Sequence, residues 1–171
     1  MARYHHGDLA NALTRVAADL ARGGGPDAVV LREAARRVGV SPTAAYRHFG
    51  AHEDLVRAVK SHAQDALARA MESAAAGSLD IRTLTRTLAE AYLRFALSEP
   101  GLFRTAFHRT DDSALEYRPF RLLGAAEVPA WAAVHGLAVL LLDGPLRHLT
   151  PEQRGAALSA TLEALTPSPV R

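Results

Sequence analysis

Eight histidines and no cysteine bound the chemistry open to this 171-residue chain. Without a thiol there is no zinc–thiolate centre, iron–sulfur cluster, disulfide framework or cysteine nucleophile. His48 and His52 stand four apart, the spacing of two metal ligands on one helix face, but Gly50 between them reads as a helix break that takes them off a common face. His5 and His6 with Asp8 could meet a cation, yet the sequence offers no third firm ligand, so no metal site is expected. His135 or His108 acting as a general base would need a partner carboxylate in a closed pocket, and none is nominated. There is no Gly-x-Ser-x-Gly elbow, P-loop, Gly-x-Gly-x-x-Gly or His-Glu-x-x-His. The expectation is no catalytic residue, no cofactor and no enzyme activity.

Residues 31–49 carry a different kind of chemistry. They read Leu-Arg-Glu-Ala-Ala-Arg-Arg-Val-Gly-Val-Ser-Pro-Thr-Ala-Ala-Tyr-Arg-His-Phe. Ala35 is small where two helices would cross, Gly39 four residues later supplies a tight turn, and Val38 and Val40 are apolar flanks that bury the corner. Ser41 and Pro42 read as N-cap and first residue of a second helix. That helix is short enough to lie in a major groove about 12 Å wide, as a helix-turn-helix places it. An ordinary helical hairpin satisfies Ala-x-x-x-Gly equally well, so the neighbouring elements have to decide.

Those elements are helical throughout. Ala and Leu dominate, β-branched residues are scattered, and Gly and Pro punctuate. Apolar periodicity predicts a lead helix over about 7–22 with Leu9, Leu13, Val16, Ala17 and Leu20 on one face, ended by Gly23-Gly24-Gly25-Pro26. Helices follow at 31–38, 42–49 and 52–76. Another, capped by Asp80 or Ser78, runs to Ser98, with a short aromatic one at 102–109. Residues 110–127 are illegible. A strongly apolar helix spans 128–143, and Thr150-Pro-Glu-Gln153 is a capping box opening a last helix to Leu165, which Thr-Pro-Ser-Pro stops. Val30 and Ala51 stand where N-caps are usually polar, so the helices after them are expected to start less firmly.

Charge is nearly balanced overall, at +2, but residues 1–60 carry nine Lys/Arg against six Asp/Glu. The longest nearly apolar run, 128–142, is interrupted by His135 and is too short to span a bilayer. The first residues lack an apolar signal region. A cytoplasmic protein with no membrane partner is expected.

Lead helix, Gly-rich turn, helix-turn-helix, Tyr46-Arg-His-Phe-Gly50 and a helix opening near Glu53-Asp54-Leu55 follow an order that resembles the tetracycline-repressor (TetR) family of transcriptional regulators. The stretch from Trp131 through His135 and Gly136 to Gly144 is similar to the Trp/His/Gly-marked C-terminal domain of one branch of that family. The resemblance implies an all-α fold, with a helix-turn-helix DNA-binding domain at 1–52 and a helical ligand-binding and dimerisation domain at 53–171. The implied partners are double-stranded operator DNA, a small-molecule effector and a second copy of the chain. Between His108 and Val128 the family would have room for one or two further helices.

By the same resemblance the DNA-contacting positions are Arg32, Pro42, Thr43, Ala44, Tyr46, Arg47, His48 and His52. Arg32 can reach a base edge or phosphate, Thr43 and Ala44 can offer a methyl to thymine, and Tyr46 and His48 suit phosphate oxygens. His52 replaces a lysine common in the family, which weakens one phosphate contact near neutral pH. Arg3-Tyr4-His5-His6 could act as a basic arm. These features imply a ligand-responsive DNA-binding regulator, a repressor by family default. The alternative is a helical ligand-binding dimer that has lost specific operator binding.

For the effector the aromatic residues Tyr92, Phe95, Phe103, Phe107 and Trp131, with His135, are the candidate pocket lining, although such stripes more often form plain core. Trp131 and His135 are four apart on one helix face. His135 reads slightly better as a core residue holding a neighbouring helix by a hydrogen bond than as a ligand contact. Gly136 beside them would permit close helix approach. Val139, Leu142, Leu146, Leu158, Leu162 and Leu165 supply apolar surface for a dimer interface formed by the last two helices.

Overall fold

The computed structural model describes residues 6–77, 80–110 and 120–165, with side chains from Leu9 onward. Among these the fold is all-α. The helices are α1 (His6–Gly24), α2 (Leu31–Val38), α3 (Pro42–Tyr46), α4 (His52–Ala75), α5 (Ile81–Ser98), α6 (Pro100–Ala106), α7 (Glu127–Leu142) and α8 (Pro151–Leu165). Short 3-10 turns at Pro26–Ala28 and Arg121–Ala126 complete them. The basic arm at 3–5 and segment 111–119 lie outside the described residues, as do the Ser78 cap and the stop after Leu165.

Two compact units emerge: the described parts of Met1–Ala66 with Glu99–Ala114, and of Leu67–Ser98 with Leu115–Arg171. The first contains α1–α3, the N-terminal part of α4, and α6. Leu13, Ala17 and Ala21 of α1 are buried against the Leu31/Ala34/Ala35 face of α2, and Leu55, Val59, Leu102 and Phe103 complete that core. The second unit packs α5 on α7 and α7 on α8, burying Leu88, Tyr92, Val134, Leu137, Leu141 and Leu158.

Local chemistry explains where the helices stop. α2 ends in a Schellman motif: the Val40 amide donates to the Ala35 carbonyl at 3.0 Å and the Gly39 amide to Arg36 at 3.3 Å. This requires Gly39 in the left-handed region (φ 82°, ψ 29°), where a Cβ is disfavoured. Ser41 Oγ then accepts the Ala44 amide at 3.2 Å, with Pro42 as first helical residue. Both arms of the predicted capping box form, Gln153 amide to Thr150 Oγ1 (3.3 Å) and Thr150 amide to Gln153 Oε1 (2.9 Å). Asp80 Oδ1 caps α5 by accepting the Thr83 amide at 2.9 Å.

Several expectations need correction. α3 stops at Tyr46 rather than Phe49, because the His48 and Phe49 amides both turn back onto the Ala45 carbonyl. Ala51 does not leave α4 loosely started: Asp54 Oδ2 accepts the Ala51 amide at 3.0 Å, so the cap comes from inside the helix. Val30 does lack a side-chain cap. α6 lies earlier than expected, and the illegible stretch holds a 3-10 segment. Gly136 is not a point of close approach, since a Cβ there would meet nothing within 4 Å.

The apolar run is also longer than the sequence suggested. Arg121–Leu142 forms 22 consecutive helical residues that include an 18-residue window of mean hydropathy 1.6, enough by length and composition alone to cross a membrane. Its backbone breaks at Gly124 (φ 56°, ψ −122°), leaving α7 with 16 residues. At 1.5 Å each that is about 24 Å, short of a hydrocarbon core of about 30 Å. Ala130, Val134, Leu137, Ala138 and Leu141 are moreover buried within their own unit.

Candidate nucleic-acid interface

In the helix-turn-helix, α3 is held by a single buried residue of its own, Ala45, with Phe49 buried just beyond its end. Everything else on α3 is available. Pro42, Thr43, Tyr46 and Arg47 are exposed, Ala44 and His48 are half-buried, and Tyr46 keeps 43 % of its surface open. Arg32 is exposed at the start of α2 and His52 at the start of α4. Neither Arg32 nor Arg47 makes an ion pair among the described residues. Gly50 and Ala51 separate α3 from α4, so His48 and His52 are not on one helix. The result is a short rigid helix carrying a methyl-bearing hydroxyl, a phenol and a guanidinium toward solvent.

The candidate effector residues fall into two groups. Tyr92 on α5 is fully buried, and its hydroxyl accepts from Trp131 Nε1 at 3.3 Å and lies 2.8 Å from His135 Nδ1. An indole nitrogen only donates, so the phenol proton is left for His135 Nδ1, which fits a neutral imidazole. Burial does hold His135 below its ordinary value of 6.5. Phe95 is buried one turn along α5, and the Tyr92 ring also lies 5.4 Å from that of Phe120. Phe103 and Phe107 pair with each other on the other unit, ring centres 5.0 Å apart.

Residues 13–59 match the bacterial regulatory proteins of the tetR family. The chain carries a TetR-family DNA-binding domain over that stretch. It is a DNA-binding transcriptional regulator with the family's helix-turn-helix. Three solved structures share the fold over nearly the whole chain. SCO4313, assigned as a regulatory protein, is 20% identical, covering 94% of this chain and 96% of its own, with a TM-score of 0.71. A protein of unknown function from Rhodococcus sp. RHA1 is 26% identical, with coverage of 96% and 98% and a TM-score of 0.72. A protein from Mesorhizobium loti MAFF303099, assigned as a TetR-family transcriptional regulator, is 16% identical, with coverage of 95% and 97% and a TM-score of 0.50. No curated protein matches the chain.

Sequence reasoning passed over two features of this regulator. Glu33 binds both Arg36 and Arg37, a pairing that i+3 and i+4 spacing could have signalled. At the end of α6 the Ala106 carbonyl accepts from Gln64 Nε2 at 2.9 Å, and just before the helix Glu99 meets Arg22 at 3.1 Å, contacts between residues 42 and 77 positions apart that no local pattern announces.

The His135 shift has a measurable consequence. A histidine whose folded pKa lies below its unfolded value binds fewer protons folded than unfolded as the pH drops past about 6.5. Its contribution to stability is complete above that pH and is lost progressively below it. Thermal midpoints are expected to fall as the pH is lowered from about 7.5 to about 5. His135→Asn, which keeps an acceptor near the Nδ1 position without titrating, should flatten part of that decline, and an unchanged slope would count against a depressed His135.

Proposed function

We propose that this regulator is an effector-released repressor acting in the cytoplasm as a homodimer. The carrying observation is α3, a helix anchored by Ala45 that leaves Thr43, Tyr46 and Arg47 facing solvent. Two copies would lay α3 into successive major grooves of a pseudo-palindromic operator, with half-sites about 34–36 Å apart. Arg32, Pro42, Thr43, Ala44, Tyr46, Arg47, His48 and His52 are the proposed contacts, within a DNA-binding domain at 1–52. Residues 53–171 would hold the effector and the dimer contact. On α7, Val128 and Val139, eleven residues apart on one face, remain 65% and 42% exposed, which supports a second copy covering that face.

The effector is proposed to be small and largely apolar. The proposed lining is Tyr92, Phe95, Trp131 and His135 in the second unit; Phe103 on α6 and Phe107 just beyond it are a separate candidate group in the first, and nothing among them carries a fixed charge. A coupling of about 1–3 kcal/mol between effector and operator would suffice for release. No catalytic role is assigned.

Fluorescence anisotropy on the labelled intergenic DNA beside the protein's own gene, at two salt concentrations, tests the reading. Tight binding that survives competitor DNA is expected. It should weaken by about 1–3 kcal/mol, roughly 5- to 150-fold, in Tyr46→Ala or Thr43→Ala if either reads a base or fixes register. Weak, steeply salt-dependent binding indifferent to sequence would favour the ligand-binding dimer that has lost its operator.

A further inference from the structure

The outward face of α2 carries its cations in two different states. The helix buries Leu31, Ala34 and Ala35, which turns Arg32, Arg36 and Arg37 toward solvent with Glu33 among them. Glu33 Oε2 accepts from Arg36 Nε and Oε1 from Arg36 Nη2, both at 2.8 Å, and Oε1 also accepts from Arg37 Nε at 2.8 Å. Arg32, one turn before Arg36, makes no ion pair among the described residues.

The edge that Arg36 gives to Glu33 is the pair of parallel N–H groups with which a guanidinium holds a phosphate bidentately. A phosphate can take it only by displacing a carboxylate already seated there. The side chains are open to solvent, 72% for Arg36 and 46% for Arg37, so access is not what limits them. Their hydrogen bonds hold the Glu33 carboxyl down to about 2, so it stays ionised and able to accept from both guanidinium groups at any working pH.

We propose that Glu33 limits affinity and thereby determines specificity: it withholds Arg36 and Arg37 from the DNA phosphates. The first helix of a helix-turn-helix crosses the DNA backbone, where free cations would attract any sequence alike. Each phosphate contact steepens the fall of log K with log salt by about 0.9 and strengthens non-specific binding. With two cations occupied, α2 adds little of that attraction, and discrimination is left to the residues of α3. The inference rests on the DNA-binding reading of the chain.

The test is anisotropy on a labelled random-sequence duplex across a sodium chloride series, with Glu33→Gln, Arg36→Gln/Arg37→Gln and the triple variant compared with the unaltered protein. Glu33→Gln is expected to bind tighter at low salt with a slope steeper by about 0.9–1.8, one to two added phosphate contacts. The triple variant should show no such gain over Arg36→Gln/Arg37→Gln. An unchanged slope in Glu33→Gln, with its circular dichroism melt intact, overturns the proposal. An equal gain in the triple variant also overturns it, since the effect would then be bulk charge alone. Failure of the unaltered protein to bind any duplex would overturn the DNA-binding reading along with it. Glutamine keeps the shape of the side chain, and the melt of each variant confirms that α2 still folds.

Discussion

A single methyl group added at Gly101 is expected to lower the thermal midpoint by about 6–12 °C, the equivalent of about 3 kcal/mol in a chain of this size. Gly101 is the second residue of α6 and is buried against the last turn of α1. A Cβ there would overlap the Ala21 carbonyl oxygen and come within 2.6 Å of the Arg22 carbonyl oxygen. Both are main-chain atoms of a helix, so no rotamer change relieves the overlap. The helices must separate, and much is fastened to that contact. Leu102 and Phe103 follow at 1% and 2% exposure, and the Thr105 hydroxyl donates to the Gly101 carbonyl at 2.8 Å. Arg22, which binds Asp19 on its own helix, also reaches Glu99 just before α6. The matched control is Gly23→Ala on the same turn of α1, where a Cβ meets nothing within 4 Å. It should hold the midpoint or raise it by up to about 1 kcal/mol equivalent. If Gly101→Ala melts with the unaltered protein, α1 and α6 do not approach that closely in solution.

That contact also marks where sequence reading runs out. The helix-turn-helix and the start of α8 were legible because their punctuation is local: Gly39 in the left-handed region, Ser41 with Pro42, and the Thr150/Gln153 box each lie within a few residues of the bonds they make. Amphipathic periodicity likewise placed Leu9, Leu13 and Ala17 of α1 in a core, while Val16 and Leu20 of the same expected face are only half-buried. α7 was found as an apolar helix, but its packing face could not be read, because apolar residues surround it on all sides. The 3-10 segment at Arg121–Ala126 has no period, and it turns on Gly124 at positive φ. Ala51 misled because the cap was sought at the N-cap position, whereas Asp54 supplies it from three residues on. Glycines were the least legible. Gly136, set beside Trp131 and His135, looked like a crossing point and is open, whereas Gly101, left outside the short helix expected at 102–109, makes the tightest contact on α6. Nothing near either residue in sequence distinguishes them, since the answer depends on a helix some eighty positions away.

Removing one oxygen from the second unit is expected to cost about 2 kcal/mol, or about 4–8 °C in midpoint. Tyr92→Phe keeps the ring that fills the core and lies against Phe120, 5.4 Å away, so packing is preserved and only the hydroxyl is lost. That hydroxyl stands between two residues four apart on α7, accepting from Trp131 Nε1 and facing His135 Nδ1. Both half-buried residues lose a partner whose hydroxyl is itself carried by a fully buried side chain. The same substitution reports on itself, because Trp131 is the only tryptophan in the chain. Its emission should change in Tyr92→Phe even well below the melting range, and its response to acid should change too, since the hydroxyl no longer links the indole to His135. A variant that melts and fluoresces like the unaltered protein would mean that the three side chains are neighbours without being coupled. A change in both properties together would establish that this one oxygen adds to the apolar packing of α5 on α7. Any effector entering among these residues would then have to break, or replace, a hydrogen-bonded cluster rather than merely displace apolar surface.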